Sequence, residues 1–274
     1  MTATGTELPD QPVKLPDRGP RPRAAARTIV ALMLREMSTR YGRSPGGYIW
    51  AIVEPLAGIL LLSIAFSMLM RSPPLGSSFV LFKATGMMPF MLYMTISGSI
   101  GHALHFSRPL LQYPGVTWLD AIVARFTLNT LTSILVTYLI LTGILVWTGT
   151  RTVLDMGDIG LAIGLAALLG LGIGVLNSYL SLAFPVWDQA WAILNRPLFL
   201  ISGILFLYED SPKLIQDILW WNPLVHIIGL MRAGFYPMYY ASYVSVIYVL
   251  TCALLPLVAG LLLLHRHHLD LLNR

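Results

Sequence analysis

Residues 27–55 read RTIVALMLREMSTRYGRSPGGYIWAIVEP, and their order sets the plan of the chain. Ile29, Leu32, Met33, Met37 and Tyr41 recur at helical spacing near one face, while Arg27, Arg35, Arg40 and Arg43 project elsewhere. This is the pattern of an amphipathic helix lying in a membrane interface. Ser44-Pro45-Gly46-Gly47 then breaks the helix, because proline removes a backbone donor and glycine permits a sharp turn. Tyr48 and Trp50 open a long apolar run, as aromatic residues do at the headgroup level. Within that run, about a turn beyond Trp50, stand Glu54 and Pro55. The expected order is interfacial helix, turn, aromatic anchor, and a spanning helix carrying a buried acid.

Composition agrees with a membrane-embedded chain. Of 274 residues, 56% are hydrophobic and 11% are charged, whereas soluble domains carry about 25% charged residues. A helix needs roughly 20 apolar residues to span a bilayer, and the chain holds several such runs and no room for a large soluble domain. Cys252 is alone and lies in the last apolar run, so an intramolecular disulfide is excluded and a small apolar role is expected. Residues 1–23 contain five prolines and no apolar core of a signal peptide; a disordered cytoplasmic tail is expected there. Eight of the eighteen Lys and Arg residues precede Ser44, a positive-inside signal rather than a nucleic-acid one.

Hydropathy gives six spans: about 48–70, 84–104, 119–147, 159–184, 190–208 and 242–264. The segment around Phe106–Trp118 is too polar and proline-broken to cross. Gly160 with Gly164, and Gly170 with Gly174, are spaced for close helix contact. Residues 209–241 leave the membrane at Glu209, Asp210 and Lys213, then form two short apolar pieces around Asn222-Pro223, ended by Arg232, Gly234 and Pro237. A re-entrant or interfacial hairpin packed against protein is expected. This plan puts thirteen Lys and Arg on the N-terminal side and five, including Lys83 and Arg232, on the other. Both termini are therefore expected in the cytoplasm.

Two sequence blocks carry a resemblance. Leu34-Arg35-Glu36-Met37, Thr39-Arg40-Tyr41-Gly42, Gly47-Tyr48, Trp50-Ala51 and Glu54-Pro55 form the first, and Trp221-Asn222-Pro223-Leu224-Val225-His226 the second. They resemble the membrane subunits of ABC-2 type exporters, in particular capsular polysaccharide export permeases of the KpsM kind, over roughly residues 24–270. The resemblance implies a homodimer bound to separate ATPase chains that carry ATP and Mg. It also implies a lipid-anchored polysaccharide as cargo, with a periplasmic polysaccharide co-polymerase and an outer-membrane export protein as partners. The chain would reside in the bacterial inner membrane. In such permeases cytoplasmic elements transmit the ATPase stroke, which assigns Arg27, Glu36, Arg108, Gln112 and Tyr113 to coupling. One departure stands out: after Asn-Pro-Leu-Val-His-x-x the family often has an acid, and this chain has Gly229.

The residues themselves leave several choices open. No G-x-x-x-x-G-K-[ST] stretch occurs, so no P-loop is present and the chain is expected to have no ATPase activity of its own. Arg35, Arg40 and Arg43 each gain about 1 kcal/mol near anionic headgroups, which suffices for a lipid anchor. With Tyr41, Trp50, Glu54 and Arg125 they would equally form a cytoplasmic portal for an anionic lipid-linked sugar, since guanidinium forks grip phosphate and aromatic faces suit sugar rings. Glu54 costs at least about 2.5 kcal/mol at mid-bilayer; a salt bridge to Arg43 or Arg125 would account for it, and so would a place on a pathway. Trp220, Trp221, Asn222, Pro223, His226 and Arg232 are assigned to a periplasmic gate. Tyr236, Tyr239, Tyr240 and Tyr243 suit an interfacial belt better than a sugar platform. His102 with His105, and the tail of His265, His267 and His268, are weak metal signals without accompanying acids, so no metal site is assigned. An O-antigen or teichoic-acid exporter is the alternative within the class. A lipid-linked transferase is the alternative outside it, but no constellation of acids or histidines supports one.

The expectation is an all-α polytopic membrane protein. Its parts are an interfacial helix over 24–43, six transmembrane helices, and a periplasmic re-entrant helical hairpin over 209–241.

Overall fold

The computed structural model describes residues 22–41, 47–109, 116–150 and 152–272, with side chains over 26–39, 47–109, 116–150 and 152–267. Among the described residues all regular structure is helical. Helix α1 (Pro22–Tyr41) precedes a single 3-10 turn at Gly47–Ile49 that runs into α2 (Trp50–Leu69). Then come α3 (Phe79–Gly101), the short α4 (Ala103–Ser107), α5 (Trp118–Thr148) and α6 (Met156–Ala183). The chain closes with α7 (Trp187–Ile201), α8 (Lys213–Leu219), α9 (Pro223–Phe235) and α10 (Val246–Leu272). The tail expected over 1–23 lies outside the described residues except for Pro22 and Arg23, which begin α1.

Helix starts obey capping chemistry. Ser78 accepts from the Leu81 amide and so begins α3 five residues before the expected span. Thr117 and Asp120 form a reciprocal capping box at α5. Asp155 accepts from the amides of Gly157 and Asp158 at α6, and Asn222 from Leu224 at α9. The early start of α3 has a consequence for Lys83. Expected in a loop, it sits inside the helix and is 1% exposed.

Helices α2, α3, α5, α6 and α10 are each long and apolar enough to cross a membrane. In α3, 72% of the apolar stretch is buried, against 17% in α2 and α10, so α3 is central and α2 and α10 leave most of their sides uncovered by the rest of the chain. Helix α6 packs along α3, with Gly170 against Ile96 and Gly174 against Ile100. On its other face Gly172 lies directly on the Ala253 backbone of α10, while Gly260 of α10 meets Val175 and Leu176. A side chain at either glycine would force the helices apart. Among the described residues of this chain, Gly160 and Gly164 meet no other helix: a Cβ at either would find nothing within 4 Å.

The fifth expected crossing, 190–208, is helical only to Ile201. The 15 residues of α7 span about 22 Å at 1.5 Å per residue, short of a roughly 30 Å hydrocarbon core. Ser202 caps the helix and Gly203, at φ 82°, turns the chain out of it. The stretch beyond Gly203 is irregular and largely enclosed, with Ile204 fully buried. The hairpin expected over 209–241 consists of α8 and α9 bent by 102°, because Pro223 supplies the first turn of α9 with no donor to lose.

Candidate functional site

The side chains expected to act in coupling and in the gate gather at the two ends of the bundle. At the end that carries α1 and α4, Glu36 and Arg125 form an ion pair, Arg125 Nη2 donating to Glu36 Oε2 at 2.9 Å. Arg125 Nη1 also donates to the Ser99 carbonyl of α3 at 2.9 Å, and its guanidinium lies 4.8 Å from the centre of the Phe106 ring of α4. One side chain of α5 thus touches three other helices. Around it, Leu32 and Arg35 of α1, Phe106 and Ser107 of α4, and Ala121 and Ala124 of α5 close a small cleft. Glu36, expected in coupling, and Arg125, expected in a portal, are thus direct neighbours. Of the two salt-bridge partners expected for Glu54, Arg125 pairs with Glu36 instead, and Arg43 lies outside the described residues.

Helix α1 turns Ile29, Leu32, Met33 and Glu36 toward the bundle. Met37, expected on that face, is exposed together with Val30 and Leu34. Arg27 and Arg35 are exposed, and Arg108 is half-buried in the turn after α4. Arg40 and Tyr41 close α1, but their side chains lie outside the described ones. Arg43, Gln112 and Tyr113 lie outside the described residues altogether. Trp50 is exposed at the start of α2.

Glu54 is exposed rather than buried. It borders a cavity of about 170 Å³ between α2, α3 and α5, also lined by Pro55, Met91, Asn129 and Ser133. A wider recess of about 450 Å³ shares Thr95 with it and is also lined by Glu36, His102 and Arg125. Among the described residues no three His, Cys, Asp or Glu side chains converge as a metal site would require.

At the opposite end the hairpin is held by hydrogen bonds to its own turn. Asn222 Nδ2 donates to the Ile201 carbonyl at 3.0 Å, tying the bend to the end of α7. The Ser245 amide donates to His226 Nδ1 at 3.1 Å, so that nitrogen is bare and Nε2 carries the proton it gives to the Trp220 carbonyl at 2.8 Å. Trp220 stacks on Tyr248 at 4.9 Å, while Trp221 stays 68% exposed beside it. Tyr243 stacks on Tyr208 at 4.0 Å, and Tyr239 donates to Glu209 at 3.1 Å. Burial pushes the Tyr243 hydroxyl up to about 12 and raises that of Tyr239 as well, so both remain donors at neutral pH. Tyr239 and Tyr243 are therefore packing groups, and Tyr240, 83% exposed, is the one placed for an interfacial belt.

Arg232, expected to end the second hairpin piece on the periplasmic side, is 2% exposed inside α9. Nη1 donates to the Phe206 carbonyl at 3.0 Å and Nη2 to that of Ile204 at 3.2 Å. Lys83 Nζ donates to the Leu205 carbonyl between them at 3.0 Å. The cations lie over aromatic faces, Arg232 at 4.1 Å from Phe82 and Lys83 at 3.4 Å from Phe66. Three successive carbonyls released by the early end of α7 thus find donors inside the protein, as irregular backbone at membrane depth requires. Lys83 was missed as a site residue. Its only sequence signal is a lone charge one turn into an apolar run.

Gly229 also gains a physical reason. The Tyr243 hydroxyl occupies the space a side chain there would take, so the acid frequent in the family has no room in this chain.

Comparison with known proteins agrees with this architecture. Residues 27–236 match the family model described as ABC-2 type transporter. The chain is 35% identical to the polysialic acid transport protein KpsM of Escherichia coli over 238 residues, 86% of this chain and 92% of that one. It is 26% identical to the capsule polysaccharide export inner-membrane protein CtrC of Neisseria meningitidis serogroup A, covering 88% of this chain and 91% of the relative. To the capsule polysaccharide export inner-membrane protein BexB of Haemophilus influenzae it is 25% identical, over 86% and 89%.

Proposed function

The chain belongs to the ABC-2 type transporter family, and on that premise we propose that it is the permease subunit of a capsular polysaccharide exporter. It sits in the inner membrane with both termini in the cytoplasm. Two copies form the pathway, and each binds a separate ATPase chain that holds ATP and Mg. The cargo is a polysaccharide on a lipid anchor, handed to a periplasmic co-polymerase and an outer-membrane export protein.

The observation that carries this reading is the Glu36–Arg125 pair. It fastens the amphipathic helix α1 to α5 and leaves Arg27 and Arg35 on the outside for another protein. A push on α1 is then passed to α3, α4 and α5 together, as transport driven by a second chain requires. Export of a capsule, rather than of another surface polymer, is supported by the similarity to KpsM, CtrC and BexB. Deletion of the chain tests it. Cells should lose surface capsule and accumulate the lipid-linked polymer inside, with both defects reversed by the gene in trans. Normal surface capsule without the chain would overturn the reading.

A further inference from the structure

Helices α2, α3, α5, α7 and α9 each carry one charged side chain beyond their first turn. Lys83, Arg125 and Arg232 are buried and bonded within the chain. Glu54 of α2 and Arg196 of α7 are not. Both are exposed, and neither has a hydrogen bond or ion pair among the described residues. Each stands in an exposed, otherwise apolar stripe at helical spacing, Glu54 with Val53, Ala57 and Leu61, and Arg196 with Ala192, Ile193 and Leu200. The rest of the chain leaves both stripes bare. Helix α2 packs on α3 and α5 by its other side, and no residue of α7 is buried. A charge facing hydrocarbon is costly, so such a residue requires a partner or water.

The two stripes complement each other in sign and in level. Both helices run toward the hairpin end: Phe66 of α2 lies against Lys83, and Ile201 of α7 accepts from Asn222. Each opens on a tryptophan, Trp50 and Trp187, the residue that anchors at the headgroups. Glu54 follows Trp50 by four residues and Arg196 follows Trp187 by nine, which puts their Cα atoms about 6 Å and about 14 Å inside at 1.5 Å per residue. Helical side chains lean toward the N-terminus, so the long arginine reaches back toward the level of the short glutamate. Within one chain α2 and α7 do not pack along each other. A two-fold axis, by contrast, lays α2 of one copy on α7 of the other and repeats the contact. We propose that two copies of this chain meet through α2 and α7, with Glu54 of each copy paired to Arg196 of the other. The inference rests on the two-copy export reading above and names its interface.

Co-purification of two differently tagged full-length copies from membranes tests this. Glu54→Arg on both copies, or Arg196→Glu on both, sets like charges against each other twice and should lower co-purification about tenfold. With Glu54→Arg on one copy and Arg196→Glu on the other, both contacts are again between opposite charges, and co-purification should recover. A pair within one chain stays broken in both variants and predicts no recovery. A cross-link with both charges intact checks the same contact. In a Cys252→Ala background, Ala57→Cys on one copy and Ala192→Cys on the other should form a disulfide under mild oxidation. Wild-type co-purification of either charge variant alone, no recovery in the mixture, or no cross-link would overturn the proposal. Export by the same cells separates the two claims. Export that persists without this contact defeats the interface alone, whereas the contact formed by a chain that exports nothing defeats the export reading alone.

Discussion

Glu36 of α1 and Arg125 of α5, 89 residues apart in sequence, meet at 2.9 Å with side chains only 15% and 8% exposed. Removing one member of a buried pair strands the other, at a cost of about 3–5 kcal/mol, less where one partner stays near water as Glu36 does. Glu36→Gln and Arg125→Met should each loosen α1, read as greater mobility of a spin label at Ser38. The reversed pair, Glu36→Arg with Arg125→Glu, should recover part of the order. Equal mobility in all four proteins would mean that the pair does not fasten α1.

The carbonyls of Ile204, Leu205 and Phe206 depend on Lys83 and Arg232. A buried acceptor left unpaired costs about 1–3 kcal/mol. Arg232→Met strands two carbonyls and Lys83→Met one, so Arg232→Met should lower the unfolding midpoint in detergent more. Arg232→Lys keeps the charge but loses the fork, and should fall between wild type and Arg232→Met. The reverse order would show that charge, rather than carbonyl pairing, places these residues.

Gly229 faces the Tyr243 ring, whose Cζ would lie 2.9 Å from a Cβ at that position. Gly229→Ala should destabilise the hairpin, typically by about 1–3 kcal/mol for an overpacked site. Tyr243→Phe removes the closest atom and should restore part of the loss. Full stability of Gly229→Ala alone would contradict this packing.

Two glycines of α6 should behave oppositely. Gly172→Leu must push α10 off the helix and should cost folded yield, whereas Gly160→Leu enters open space. If Gly160→Leu is the damaging one, that face of α6 is covered by a second protomer.

Much of this architecture was legible in the chain. Apolar runs mark the spans, and Thr117, Asp155 and Asn222 announce helix starts by their side-chain chemistry. Asn222-Pro223 marks the bend of the hairpin. The features that escaped depend on distant partners. Lys83 and Arg232 read as water-facing charges because the carbonyls that hold them belong to residues 122 and 26–28 positions away. The α7 helix reads as a full span because Ser202 and Gly203 interrupt an apolar run without making it polar. Glu54 reads as buried because hydropathy cannot reveal a cavity bounded by two other helices. Gly160 and Gly164 have contact spacing on a face where a side chain would meet no other described helix.

Reconstitution is the most direct test of the export function. The chain would be placed in proteoliposomes with its cognate ATPase and a lipid-linked polymer, and polymer reaching the opposite leaflet would be measured with a polymer-degrading enzyme on that side. ATP-dependent translocation is expected only when both chains are present, with no ATP turnover by this chain alone. Translocation without the ATPase, ATP hydrolysis by the isolated chain, or no translocation by a complex that turns over ATP would contradict it.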